Sequence, residues 1–307
     1  MVLILASSSQ VARHVSDLVY VRLMFYLEDL LGMRITTNVA SINAQRSFAT
    51  AHREESKSLA QLASGQRINI AADDAAGLAI SENLKSQIRS GQQAIRNTND
   101  GISLVEVAEG AFNEINNIVV RLRELGIQAA SDTIGDTERG MVNRETQQLK
   151  QEIDRIALVT TWTSTKLLDG TAPRFDLQVG IFANKKENTI SFDPAENNVR
   201  LSALGLNDID YSQKVGAQEG LGVIDKAIEH LNGCRSNLGA IQNRLVSTLN
   251  NLGVQSENMS AANSRIRDTD IAQATSEMAR HQILLQAGTA TLSQANQINN
   301  LALKLIG

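Results

Sequence analysis

Apolar residues recur every seven positions over the C-terminal third of the chain: Ile224, Leu231, Leu238, Leu245, Leu252, Met259 and Ile266. A second line three positions on, Ala227, Cys234, Ile241, Thr248, Gln255 and Ala262, supplies the other half of an a/d seam with a period of 3.5. The spacing predicts one long helix with a single buried stripe, running for roughly 65 Å. The chain is therefore expected to be elongated.

The same period appears twice more. Gly91, Thr98, Val105, Phe112 and Val119 form a line flanked first by Ile88, Ile95 and Ile102, then, after a one-residue slip, by Ala108, Ile115 and Leu122. Asn99, Asp100 and Gly101 would ordinarily mark a turn. The period runs through them unbroken, so a helix is predicted there. Beyond a Gly/Asp cluster at 131–136, with Asp136 or Thr137 as the expected cap, Val142, Leu149 and Ile156 alternate with Thr146, Ile153 and Thr160 at the same spacing. Three seams of one kind predict helices packed into a long bundle.

Between the third and fourth helices the period drops to 2. Phe175, Leu177, Val179 and Ile181 alternate with polar residues, and Ile190 and Phe192 resume the pattern after a loop at 183–188, predicting a β-hairpin at about 174–193. The chain's two prolines, Pro173 and Pro194, fall outside its strands, where neither removes a ladder hydrogen bond.

The ends differ from this middle. From Met33 to Gly65 the chain is polar and small, with a thin apolar stripe of Val39, Ile42, Ala49, Leu59 and Leu62. The C-terminal stretch carries Ile271, Met278, Leu285 and Leu292 at seven-residue intervals amid Gln, Ala, Ser and Thr. Such helices are marginal alone. They are expected to pair with each other, forming a terminal coiled-coil domain from 33–74 and 268–307, with a helical rod from 75–267 between them. Asp73 is the expected N-cap of the helix after 69–74. The fold class is thus mainly α: an elongated coiled-coil bundle with a β-hairpin. Residues 1–32, richer in aromatics and ahead of an internal Met33, read as a start-site artefact, the alternative being an extra amphipathic helix.

Composition narrows the function. Two prolines in 307 residues suit long unbroken helices. A net charge of -4 leaves no Lys/Arg excess to neutralise phosphates, which argues against nucleic-acid binding. No run of 18 apolar residues is present to span a membrane. The single cysteine, Cys234, sits on the seam and reads as a small core residue. His14, His52, His230 and His281 are scattered, and no HExxH, paired cysteines or glycine-rich phosphate loop occurs. Asp73 and Asp74 suggest an acid/base pair only superficially. Adjacent acids at a helix start are better read as cap and dipole partners, and Ser64 as a turn residue. No enzyme activity, metal or cofactor is expected.

Two segments carry a resemblance. ITTNVASINAQ (Ile35 to Gln45) with LASGQRINIAADDAAGLAI (Leu62 to Ile80) resembles the N-terminal region of bacterial flagellin, and SRIRDTDIAQATSEMARHQILLQAGTATLSQANQ (Ser264 to Gln297) is similar to that family's C-terminal region. The likeness covers essentially all of 33–307. It implies a minimal flagellin, because the interval 198–216 is too short to hold the outer domains of larger members, whose chains begin at the equivalent of Met33. It further implies a structural subunit of the flagellar filament, a helical homopolymer whose terminal helices line the channel. Export would proceed unfolded through a type III apparatus with a chaperone, and filament-cap and hook-associated proteins would be partners. The subunit would be secreted to the flagellum. VRLRELGIQ (Val120 to Gln128) resembles the stretch contacted by the vertebrate flagellin-sensing Toll-like receptor, with Arg121, Leu125 and Glu145 on matching positions. The alternative is a hook–filament junction protein, against which DDAAG speaks, since junction proteins tend to carry proline after the paired aspartates.

Overall fold

The structure, a computed structural model, describes residues 37–306. Readings made for residues 1–32 lie outside this range. In chain order the elements are α1 (Val39–Ser64), α2 (Ala75–Ala130), α3 (Asp136–Val159), β1 (Thr161–Trp162), β2 (Thr165–Lys166), β3 (Phe175–Gln178), α4 (Lys185–Asn188), β4 (Thr189–Phe192), α5 (Leu201–Leu204), α6 (Lys214–Arg267) and α7 (Ile271–Ile306). The described residues divide into two compact units, one of residues 79–265 and one of residues 37–78 together with 266–306.

Residues 79–265 hold the main core. The seam period is realised: α6 buries Ile224, Ala227, Leu231, Cys234, Leu238, Ile241, Leu245 and Leu252, while α2 buries Val105, Ala108, Phe112, Ile115, Val119 and Leu122. Val142, Thr146, Ile153 and Ala157 are the inward face of α3. Each fully buried Leu, Ile or Phe contributes about 1.5–3 kcal/mol, so this face of three long helices is sufficient to hold itself together. The seam of α6 extends further N-terminally than its heptads announce, the helix spanning 54 residues. It loosens toward the C-terminal end of the helix: Thr248, Met259 and Ile266 are half-buried, and Gln255 is exposed.

The helix passes through Asn99, Asp100 and Gly101 without a break. The glycine is there for packing. A Cβ at Gly101 would lie 2.6 Å from Leu177 Cδ1 of the hairpin, and Asn97 Nδ2 donates to Gln178 O at 3.0 Å. The hairpin pairs Phe175 with Phe192 and Leu177 with Ile190. Its first strand ends at Gln178 rather than continuing to Ile181, because Asn188 O accepts from both Val179 N and Gly180 N and closes the ladder there. The loop contains the single turn α4, and a further two-residue pair, β1 with β2, carries no alternation long enough to be read from sequence.

Caps differ from the expected ones. Helix α3 starts after Gly135, which offers no side-chain cap, so Asp136 and Thr137 are inside the helix. Asp136 instead holds Arg139, Nη1 to Oδ1 at 2.8 Å. That buried guanidinium also donates to Ala129 O and Ser131 O, satisfying carbonyls freed at the end of α2.

Tyr211 closes the bundle where α2 and α6 meet. It is fully buried, its hydroxyl donates to Leu122 O at 3.2 Å, and burial pushes its pKa up to about 12. Ideal Cβ atoms on Gly126 and Gly220 would fall 2.8 Å from its Oη and 2.9 Å from its Cε1. The ring therefore fits only between two glycines. Gly126→Val is expected to cost about 1–3 kcal/mol by overpacking, measured as a lowered urea midpoint at unchanged m-value.

A candidate assembly surface on the terminal helices

The smaller unit pairs α1 with α7, antiparallel. Gly65, at φ +69°, ends α1 and turns the chain. Arg67 N then donates to Arg267 O and Thr269 N to Gly65 O, while Arg67 Nη2 reaches Ile266 O at 2.7 Å. At the far end Asn38 caps α1 by accepting from Ser41 N, and its Nδ2 donates to Ala295 O at 2.8 Å. Between these anchors Phe48 lies over Gly288, where an added Cβ would come 3.4 Å from the ring's Cδ2.

The inward line of α1 is Ser41, Ala44, Phe48, Ala51, Glu55, Ser58 and Leu62, and that of α7 is Ala274, Met278, His281, Leu285, Gly288, Leu292 and Ala295. Both keep the 3.5 period. The thin stripe read from sequence does not face inward. Val39, Ile42 and Leu59 are 55%, 46% and 58% exposed, Ala49 is exposed too, and of that stripe Leu62 alone joins the seam. On α7, Met278, Leu285 and Leu292 are half-buried in the seam as read, but Ile271 is 54% exposed. The physical reason is that a small residue opposite a large one lets two helices approach closely, so the pair closes where Ala, Ser and Gly meet Phe48, Met278, Leu285 and Leu292 and turns much of its remaining bulk outward. Ile283 and Leu284 face out as well. Among the described residues of this unit, Ile68 is the one large apolar side chain that is fully buried.

Asp73 and Asp74 divide the work assigned to them. Asp74, not Asp73, caps α2, its Oδ1 accepting from Gly77 N at 2.8 Å. Asp73 lies one residue too early. Its carboxylate accepts from Asn69 N and Ile70 N and pairs with Lys57 Nζ at 3.0 Å. The hydrogen bond from Lys57 is the main reason its carboxyl is held below the usual range, against the desolvation that raises it. Ser64 Oγ accepts from Gln66 N, a turn contact.

On the larger unit, Arg121 reaches across from α2 to α3. Its Nε and Nη2 donate to Glu145 Oε1 at 3.0 and 2.9 Å, and Nη1 pairs with Glu124. These carboxylates raise the Arg121 pKa, the hydrogen bond to Glu124 being the largest single cause and the one to Glu145 the next. Leu125 is not on this face: it is 1% exposed and packs in the core, because it falls on the buried line that also holds Leu122 and Ala129. Cys234 is buried, which pushes its thiol pKa up. His14 lies outside the described residues. Among those described, no group of three or more His, Cys, Asp or Glu could hold a metal ion, and no helix is long and apolar enough to cross a membrane.

Comparison with known proteins matches both ends of the chain. Residues 35–172 match the bacterial flagellin N-terminal helical region and residues 221–306 the bacterial flagellin C-terminal helical region. The chain is 42% identical over 274 residues to flagellin of Halalkalibacterium halodurans, covering 89% of this chain and 100% of that one. It is 39% identical over 287 residues to the flagellar filament core protein flaB2 of Brachyspira hyodysenteriae, at the same coverage. Among solved structures, the crystal structure of Bacillus cereus flagellin superposes with a TM-score of 0.46 at 31% identity, covering 55% of this chain and 94% of that one. The relatives' names favour a filament subunit over a hook-junction protein. With both terminal regions matched and full-length relatives at about 40% identity, the chain belongs to the bacterial flagellin family and is a structural subunit of the flagellar filament.

Proposed function

We propose that the α1–α7 pair is incomplete in a lone subunit and gains its remaining cover from sister copies, so that ordering of the ends and growth of the filament are one process. The observation that carries this reading is the outward bulk of the pair: Val39, Ile42, Leu59, Ile271, Ile283 and Leu284 are exposed while half of the seam positions carry Ala, Ser or Gly. Fixing each backbone residue costs about 1–2 kcal/mol, and a seam that is half Ala, Ser and Gly returns correspondingly little apolar burial per residue. Covering those side chains on a neighbour supplies the missing term. Head-to-tail repetition of unlike faces then yields an open helical polymer. In this reading 33–74 and 268–307 line the channel and 75–267 surround it. The subunit is secreted unfolded through the flagellar type III apparatus with its chaperone, and ends against cap and hook-associated proteins. Its work is mechanical, not catalytic.

The receptor reading rests on the exposed Arg121–Glu145 pair, with Leu125 seating that face on the core from beneath.

The test is to make the outward face polar without touching the seam. Ile283→Gln with Leu284→Gln is expected to reduce seeded filament growth at least about tenfold, the loss of apolar cover exceeding 1.4 kcal/mol per contact. Circular dichroism of the soluble chain should stay as in the parent. Filaments growing at the parental rate would refute the assignment.

A further inference from the structure

The antiparallel pairing of α1 and α7 stacks into layers, and all but one of those with bulky members join a large side chain to a small one. Phe48 over Gly288 identifies the register, in agreement with Asn38 reaching Ala295 and Arg67 reaching Arg267 at the two ends. Stepping along both inward lines from that contact sets Ala44 opposite Leu292, Ala51 opposite Leu285, Ser58 opposite Met278 and Leu62 opposite Ala274. The exception is the layer between Ala51 and Ser58. There Glu55 stands opposite His281, two long titratable side chains on half-buried seam positions. His281 Nδ1 is buried and has no hydrogen-bond partner in the protein.

We infer that the Glu55–His281 layer sets the register in which the terminal helices pair. The large-to-small layers are poor at this task because they repeat with the heptad. Sliding α7 by seven residues places Ala51 against Leu292 or against Met278, and Ser58 against Leu285 or Ile271, so small still meets large in each. The polar layer does not survive either slide. One direction sets His281 against Leu62 and Glu55 against Gly288; the other sets His281 against Phe48 and Glu55 against Ala274. Both leave a polar group on a half-buried seam facing an apolar or small residue that offers it no hydrogen bond, which is costly. In the native register the two stand in one layer, so the acceptor that His281 Nδ1 lacks in the lone chain is available from the Glu55 carboxylate facing it, which neither slide offers. A single polar position is a known means of choosing one register among several apolar ones.

Register here is a property of the subunit's own two ends, so it stands or falls separately from the assembly reading. The readout is disulfide trapping in the full-length chain carrying Cys234→Ser, in solution and in seeded filaments, scored as bridges within one chain after denaturation. Ala51→Cys with Leu285→Cys reports the native register, and Ala51→Cys with Leu292→Cys the slipped one. With Glu55 and His281 in place, the native bridge should exceed the slipped bridge by at least roughly tenfold, the ratio set by exposing two polar groups to apolar partners. Glu55→Ala with His281→Ala should bring the two within about threefold, and the exchange Glu55→His with His281→Glu should restore the preference. A native preference unchanged in the double alanine chain overturns the inference. So does an exchanged chain that traps the slipped bridge as readily as the double alanine chain does.

Discussion

Deleting residues 270–307 is expected to abolish polymerisation altogether while the bundle of residues 79–265 stays folded. The cut removes α7 and with it Asp270, whose carboxylate accepts from Ala272 N and Gln273 N at the start of that helix. α1 is left with Phe48, Ala51, Ser58 and Leu62 facing solvent in place of their partners. A lone helix of 26 residues with so little apolar surface is marginal in water. The core of the larger unit loses nothing, since Phe112, Leu122, Tyr211, Leu231 and Leu245 all pack within 79–265. Seeded growth should fall below detection, and helical signal should drop by no more than the share of the 26-residue α1 and the 36-residue α7. Filaments from the truncated chain, or collapse of the remaining helical signal, would sink the idea that the ends drive assembly and the bundle stands alone.

Leu245→Asp should instead damage the bundle. Leu245 is fully buried, and its Cδ1 lies 3.5 Å from the Cβ position of Gly101, beside Leu177 of the hairpin. Three elements, α2, β3 and α6, converge on that point, and burial removes the water a carboxylate needs. A buried group of this kind costs several kcal/mol or stays protonated at similar expense. For a unit of this size that corresponds to a fall in the thermal midpoint on the order of 10 °C. A melting curve superimposable on the parent's would refute the seam assignment at its centre. Together the deletion and the substitution separate the halves of the molecule: the first acts on association, the second on folding.

Much of this fold is legible because large apolar side chains announce themselves. Phe112, Val119, Leu231 and Leu238 repeat every seven residues because a straight stripe on a long helix requires it, and Leu177 and Ile190 alternate because a strand's side chains point to opposite faces. The terminal pair is illegible by the same measure. Ala44, Ala51, Ser58, Ala274 and Gly288 give no hydropathy signal, whereas Val39, Ile42, Leu59 and Ile271 do and point the other way. A hydropathy stripe on a helix shows that something apolar must cover it, and says nothing of whether the cover belongs to the same chain.

By itself, then, the sequence determined the long helices, the hairpin between its two prolines and the membership of the family through motifs at both ends. Tertiary structure alone decided which aspartate caps α2, that Leu125 turns into the core while Arg121 stays out, that Tyr211 is held between Gly126 and Gly220, and which residues of the terminal helices touch. Those outcomes turn on close approach between segments far apart in the chain. A missing Cβ or a one-residue rotation about a helix axis is decisive there, and periodicity along a single strand of sequence carries no record of it.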